Sequence, residues 1–275
     1  MSLVALIKLK LNNKFNALEY RLASPRLNIW KTLYVNFRLF AIRDALKLPI
    51  LVYGSLRIYQ LGKIILNVPK IEKGIVRIGI FDIKSYGKTA INNCGTIVFN
   101  GRCDIWGGCY IELSNTASLN IGKHALIGEN VRILLQGQCT IGKYLRLAYN
   151  SQIIDTDFHF LVNVESGEIK NCRSNVVIGD YNWIGNNTTI KKGAITPDYT
   201  IVAAPNAMLN KDYRNITSEY PILGGSPAKE ISHGVRRIFS STNESIIRKH
   251  FENMDTPHFI DVATIDEFCT INSIP

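Results

Sequence analysis

His159 has the setting that points most directly to chemistry. It closes the stretch Ile154-Asp-Thr-Asp-Phe-His159, and an imidazole ionises close enough to neutral pH to take a proton from a hydroxyl group. Asp157 or Asp155 could orient that imidazole as the carboxylate of a catalytic triad does. The same aspartates could equally cap their own loop, and both readings stay open. His124, His233, His250 and His258 are scattered and form no set of three that would converge on a metal. The 6 cysteines contain no C-x-x-C pair and no matching His spacing. Neither a zinc site nor a disulfide framework is expected, and the thiols read as reduced, small core residues.

What must position His159 is a repeat. An apolar or β-branched residue returns every six positions at Ile178, Ile184, Ile190, Thr196, Val202 and Met208. The same period runs through Ile121, Ile127 and Ile133, then through Ile141, Leu147 and Ile153, with fainter traces at Ile91, Ile97, Ile105 and Ile111. A period of six fits neither a helix nor a sheet of long strands. It fits very short strands joined by tight turns, with one inward side chain per hexapeptide. Glycine beside the inward residue is expected to supply unusual turn dihedrals. Three hexapeptides close a triangular coil, and coils stack at about 4.8 Å. Stacking aligns the aliphatic side chains into ladders, each buried member contributing roughly 1.5–3 kcal/mol. The expected fold class is therefore all-β, a parallel β-helix over residues 48–212, with its first coil between Leu48 and Leu66. One irregular stretch, 154–176, breaks the repeat and carries His159; loops of this kind usually carry function. Trp183 immediately precedes the inward Ile184, so it should point outward, toward a ligand or another subunit.

The ends differ from the middle. Residues 1–70 hold twelve Lys and Arg against two acids, and 12 − 2 accounts for the whole net charge of +10. Residues 1–47 form a basic N-terminal arm, in which short helices are expected over 1–30 and a strand over Thr32–Phe40, where Leu33, Val35, Phe37 and Leu39 alternate. Residues 213–275 form a C-terminal extension, with a helix opened by the capping box Ser241-Thr-Asn-Glu244. A basic arm suggests an anionic partner. Its bases are interleaved with aromatic and aliphatic residues, which fits an anionic membrane surface better than nucleic acid. The plainer alternative is that the arm packs on the body with its charges in water. The apolar run Leu3–Ile7 is too short for a signal-peptide core or a bilayer span. A cytoplasmic protein is expected, with the arm able to bring it to the inner face of the membrane.

The stretch Ile178-Gly-Asp-Tyr-Asn-Trp-Ile-Gly-Asn186, with Ile190-Lys-Lys-Gly193, Val202-Ala-Ala204 and Gly224-Gly-Ser-Pro-Ala-Lys229, resembles the left-handed β-helix acyltransferases. That family includes galactoside, maltose, serine and capsular-polysaccharide O-acetyltransferases, and the resemblance covers about residues 75–235. It implies left-handed winding, an exception to the usual crossover hand, and a homotrimer with acetyl-CoA (acetyl-coenzyme A) in a groove between subunits. It implies direct acetyl transfer to a hydroxyl of a carbohydrate acceptor, without metal or covalent intermediate, with His159 as general base. Trp183 and Asn186 match positions flanking the coenzyme. Ala204 matches a small residue beneath its pantetheine arm, Lys211 follows Asn210 near the cofactor, and Lys229 falls near the nucleotide end. By analogy Asn150, with Asp155, lies on the acceptor side; Asn150 reads equally well as a turn residue stacked in a ladder, and Lys229 as an ordinary surface base. Thr196-Pro197 in place of Ile-Gly, and Pro205 in place of Gly, depart from the family pattern. N-acylation of a nucleotide-linked amino sugar and a non-enzymatic β-helix scaffold are the competing readings. A γ-type carbonic anhydrase needs three convergent histidines, which the sequence lacks.

Overall fold

The computed structural model describes residues 25–81, 87–203 and 205–270. Its strands are short and parallel and fall into three sheets, the three faces of a coil. The first face runs from the strand Ile50–Val52 to Ile222–Gly224, the second from Leu56–Gln60 to Met208–Leu209, and the third from Lys63–Leu66 to Val176–Ile178. Strand register aligns the periodic residues as ladders. Ile105, Ile127, Leu147, Ile184 and Val202 stack inside the first face. Ile91, Ile111, Ile133, Ile153 and Ile190 stack inside the second. All of these are buried.

Two details differ from the six-residue reading. The residue that follows Ile190 in its ladder is Leu209, not Met208, because the turn at Pro205 advances the phase by one. The inward Thr196 is buried among polar partners, its hydroxyl donating to Asn182 Oδ1 at 2.7 Å. The glycines also act differently from the expectation. Gly122, Gly142 and Gly179 have ordinary backbone angles, but a Cβ on each would lie 2.4–2.6 Å from the backbone of the next coil. They permit close stacking of successive turns. The left-handed turn positions are taken instead by His124, Tyr144, Tyr181 and Tyr199, with φ between 54 and 60°.

Both open ends of the stack are covered. At the N-terminal end, residues expected as a strand form helix α1 (Ile29–Leu39), followed by the short α2 (Ile42–Ala45). The Asn28 side chain accepts from Lys31 N and caps α1. Its inward stripe is Thr32, Val35 and Asn36, which is helical spacing with two polar members, so alternation of apolar residues misled. Those polar side chains finish the free edge of the strand Ile50–Val52. Asn36 donates to Ile50 O at 2.7 Å and accepts from Ile50 N at 3.1 Å, while Thr32 Oγ1 accepts from Val52 N at 3.0 Å. An unpaired sheet edge is a template for aggregation, and this one is closed. The helices expected before Pro25 lie outside the described residues.

At the other end the coil continues past residue 212. Ile222–Gly224 adds a parallel rung to the first face, and Lys229–Ser232 closes it in antiparallel fashion. Helix α3 (Ser241–Asn253) follows, capped by Ser240 rather than Ser241, and then the short α4 (Ile265–Cys269). Among the described residues no helix is long and apolar enough to cross a membrane.

Candidate active site

The loop joining Gln152–Ile154 to Val176–Ile178 is tied at its base by polar contacts. Asp155 is fully buried, and its two carboxylate oxygens accept from Gln136 N at 2.8 Å and Gly137 N at 2.7 Å. Burial pushes this carboxyl up from its ordinary pKa, while the two amide bonds oppose the shift. Asp155, expected on the acceptor side, therefore has its carboxylate engaged by backbone. Asp157 donates its amide to Cys172 O at 2.8 Å, and its carboxylate meets Lys192 at 2.6 Å and Lys191 at 3.7 Å. The bond from Lys192 is the main reason the Asp157 carboxyl lies below the usual carboxylate range. The Asp157 carboxylate is thus shared between two lysines of the next coil.

His159 is exposed and lines a cleft of about 320 Å³ with Asp157, Asn163, Glu168, Cys172 and Lys192. Among the described residues no side chain hydrogen-bonds its imidazole, so both ring nitrogens are available to a ligand. A base, a cation and a carboxylate around one open cleft can bind a polar group and move a proton from it.

Trp183 points outward from the first face, 41% exposed, as its place before Ile184 predicts. The Arg237 guanidinium sits over its ring at 5.2 Å. Beside it runs an aromatic stack that sequence reasoning missed. His124 lies on Tyr144, Tyr144 on Tyr181 and Tyr181 on Tyr199, with centroids 4.7–4.9 Å apart and planes within 14° of parallel. Phe239 meets Tyr144 and Tyr181 edge-on, and Arg236 covers Tyr199 at 4.5 Å, so the C-terminal segment is clamped to the coil corner. The signal was the recurring Gly-Lys-His, Gly-Lys-Tyr, Gly-Asp-Tyr and Pro-Asp-Tyr at the start of successive coils.

The remaining expected residues are dispersed. Asn150 stands at a left-handed turn and accepts from Asn130 Nδ2 at 2.9 Å, in the stacked-turn arrangement. Asn186 is half-buried in the turn after Trp183. The Lys211 ammonium lies over the Tyr213 ring at 5.5 Å, and Lys229 is exposed on the terminal strand. Ala204 lies outside the described residues. The cleft of His159 and the cavity of Trp183 share no residue within one chain.

The geometry defines a hexapeptide-repeat protein: three parallel faces, strands whose alternate side chains turn inward, as Ile111 with Leu113 and Ile133 with Leu135 do, and a loop that leaves the coil after Ile154. No family model matches the sequence. The chain is similar to the polysialic acid O-acetyltransferase of Neisseria meningitidis, 28% identical over 127 residues, which cover 46% of this chain and 54% of that protein. The match thus spans about half the length of that curated relative. The crystal structure of the polysialic acid O-acetyltransferase OatWY aligns with 80% of this chain and 96% of its own, at 21% identity and a TM-score of 0.42. A hexapeptide-repeat acetyltransferase of Vibrio cholerae complexed with acetyl coenzyme A aligns with 50% of this chain and 70% of its own, at 21% identity and a TM-score of 0.40. The similarity to the meningococcal protein matches the acyltransferase resemblance read from the sequence.

Proposed function

We propose that this chain is an acetyl-CoA-dependent O-acetyltransferase acting on a sugar hydroxyl of a surface polysaccharide or its precursor, with His159 as general base. The observation that carries the reading is the position of His159, exposed on the loop that interrupts the coil, over a cleft edged by Asp157 and Lys192. The imidazole takes the hydroxyl proton as the oxygen attacks the thioester carbonyl. The acetyl group passes directly to the sugar, and the coenzyme leaves as its thiolate. Asp157 anchors the loop through Lys192 and leaves the imidazole free to turn toward the hydroxyl. Trp183 lies on another face of the same chain. We take the working site to be built between subunits of a homotrimer with left-handed coils, where the loop of one chain meets the first face of its neighbour and the coenzyme lies between them. Polysialic acid, named for the similar meningococcal protein, makes an acidic glycan the first acceptor to try.

The test is incubation of the purified protein with acetyl-labelled coenzyme and whole-cell glycan extract, followed by identification of the labelled product. Labelled ester on a sugar hydroxyl supports the reading; amide label, or none, overturns it. The outward face of α1 presents Trp30, Tyr34 and Phe37 to solvent beside Arg38 and Arg43, which supports a peripheral membrane role for the arm. Each well-placed base near an anionic surface contributes about 1 kcal/mol. Co-sedimentation with phosphatidylserine vesicles should be strong at low salt and fall as salt rises; equal recovery with neutral vesicles returns the arm to a packing role.

A further inference from the structure

A cavity of about 250 Å³ opens on the first face, lined among others by Trp106, Glu129, Arg146, Tyr149, Trp183 and Arg237. Its polar groups are unusual for a surface pocket. The Trp106 Nε1–H is buried and has no acceptor among the described residues, although such groups normally find one. Arg146 uses one nitrogen, Nη1, on the carbonyls of His124 at 2.6 Å and Leu145 at 3.0 Å. No carboxylate among the described residues pairs with it, because neighbouring Asp104 is bound by both arms of Arg77. Burial, reinforced by the nearby Arg237 charge, pushes Arg146 down to about 10. Arg146 is half-buried, and the two acids that attract it, Asp104 and Glu244, are each engaged by another arginine; an anion seated beside it would offset the remaining cost of desolvation.

We propose that this cavity binds the carboxylate of an acidic sugar, with Arg146, Arg237 and the Trp106 N–H as its donors. The inference rests on the sugar-acetylation reading above and gives that reading an acceptor class. Two guanidinium groups and the single acid Glu129 leave the lining at +1, which suits a monoanionic carboxylate better than a doubly charged phosphate. Glu244 approaches Arg237 at 4.0 Å without lining the cavity. Guanidinium forks and carboxylates match in shape and charge. Tyr149 supplies aromatic surface for the apolar side of the sugar ring.

The experiment is calorimetric titration of the full-length protein, without coenzyme, using short oligosialic acid, its methyl ester and coenzyme A as three separate probes. The acid should bind about tenfold or more tightly than the ester, because esterification removes a charge-assisted pair. Arg146→Gln and Trp106→Phe should each weaken the acid by about tenfold while leaving coenzyme A affinity unchanged. Trp106→Phe keeps an aromatic ring in place, so it remains informative where Arg146→Gln disturbs folding. Equal affinity for acid and ester, or no binding of the acid, overturns the proposal. So does loss of coenzyme A affinity in either variant, which would assign the cavity to the phosphates of the coenzyme. Binding requires no turnover, so a protein that binds the acid without acetylating it keeps this proposal and refutes only the function above. A protein that acetylates a neutral glycan and ignores the acid does the reverse.

Discussion

The loop over 155–175 and the coil wall beneath Trp183 both present candidate functional side chains, yet different forces hold them. The loop is anchored at its base by polar contacts, those of Asp155 with two backbone amides and of Asp157 with two lysines, while Phe160, Leu161 and Val164 stand in solvent. Trp183 rides on a rung whose inward neighbour, Ile184, is completely buried, and a stack of aromatic rings runs beside it. Chemistry on the loop can therefore be removed with little cost to the fold. A change in the wall is transmitted to the rungs above and below, since each coil is the floor of the next. His124 belongs to the wall: it is half-buried in the aromatic stack, where burial lowers its pKa, so the exposed His233 serves as the control histidine for His159.

Four substitutions can break this comparison or sharpen it. The largest effect on activity belongs to His159→Ala. Loss of a general base should cut turnover by about 10²–10⁴-fold in the labelled-acetyl assay, with melting temperature and assembly mass unchanged; His233→Ala should stay within about threefold. Full transfer by His159→Ala would remove the base from the loop. The largest effect on stability belongs to the wall. Ile184→Ala opens a cavity in the completely buried ladder beneath Trp183 and should cost about 2–5 kcal/mol in denaturant titration; a cost below about 1 kcal/mol would mean the coils are less tightly coupled than their register implies.

Asp155→Ala is intermediate. It strands two backbone amides and should cost about 1–3 kcal/mol, with faster hydrogen exchange at Gln136 and Gly137 marking the site of the loss. The smallest effect is that of Asp157, whose partly exposed pair with Lys192 contributes no more than about 1 kcal/mol. Its pKa in the folded chain is depressed. The contribution is therefore complete above the unfolded value near 3.9 and disappears as pH falls through the lower folded value. Melting temperatures of the native protein and of Asp157→Asn should differ slightly at pH 7 and converge below about pH 4. A gap that persists in acid would show that Asp157 acts by packing rather than by charge.

Much of this architecture was legible in the residues themselves. Alternation within a short strand fixes which side chains turn inward, so Ile121, Ile127 and Ile133 announce three successive faces by spacing alone, and the interruption after Ile153 announces the loop that carries His159. The outward direction of Trp183 follows from the same phase. Other features depend on contacts between residues that the chain does not bring near each other. The partners of Asp157 are Lys191 and Lys192, one coil further on, and nothing local distinguishes them from His159 two residues away. Helix α1 buries Thr32 and Asn36 because an open strand edge needs their hydrogen bonds, a demand that exists only once the first coil has formed. The aromatic stack uses residues spaced unevenly along the chain, since the loop intervenes between Tyr144 and Tyr181, and only the coil makes them neighbours. Sequence periodicity by itself determined the ladders, because which side chains of a short strand turn inward is a local rule. Tertiary structure alone decided which charged and aromatic groups meet, because side chains on successive coils become partners through stacking.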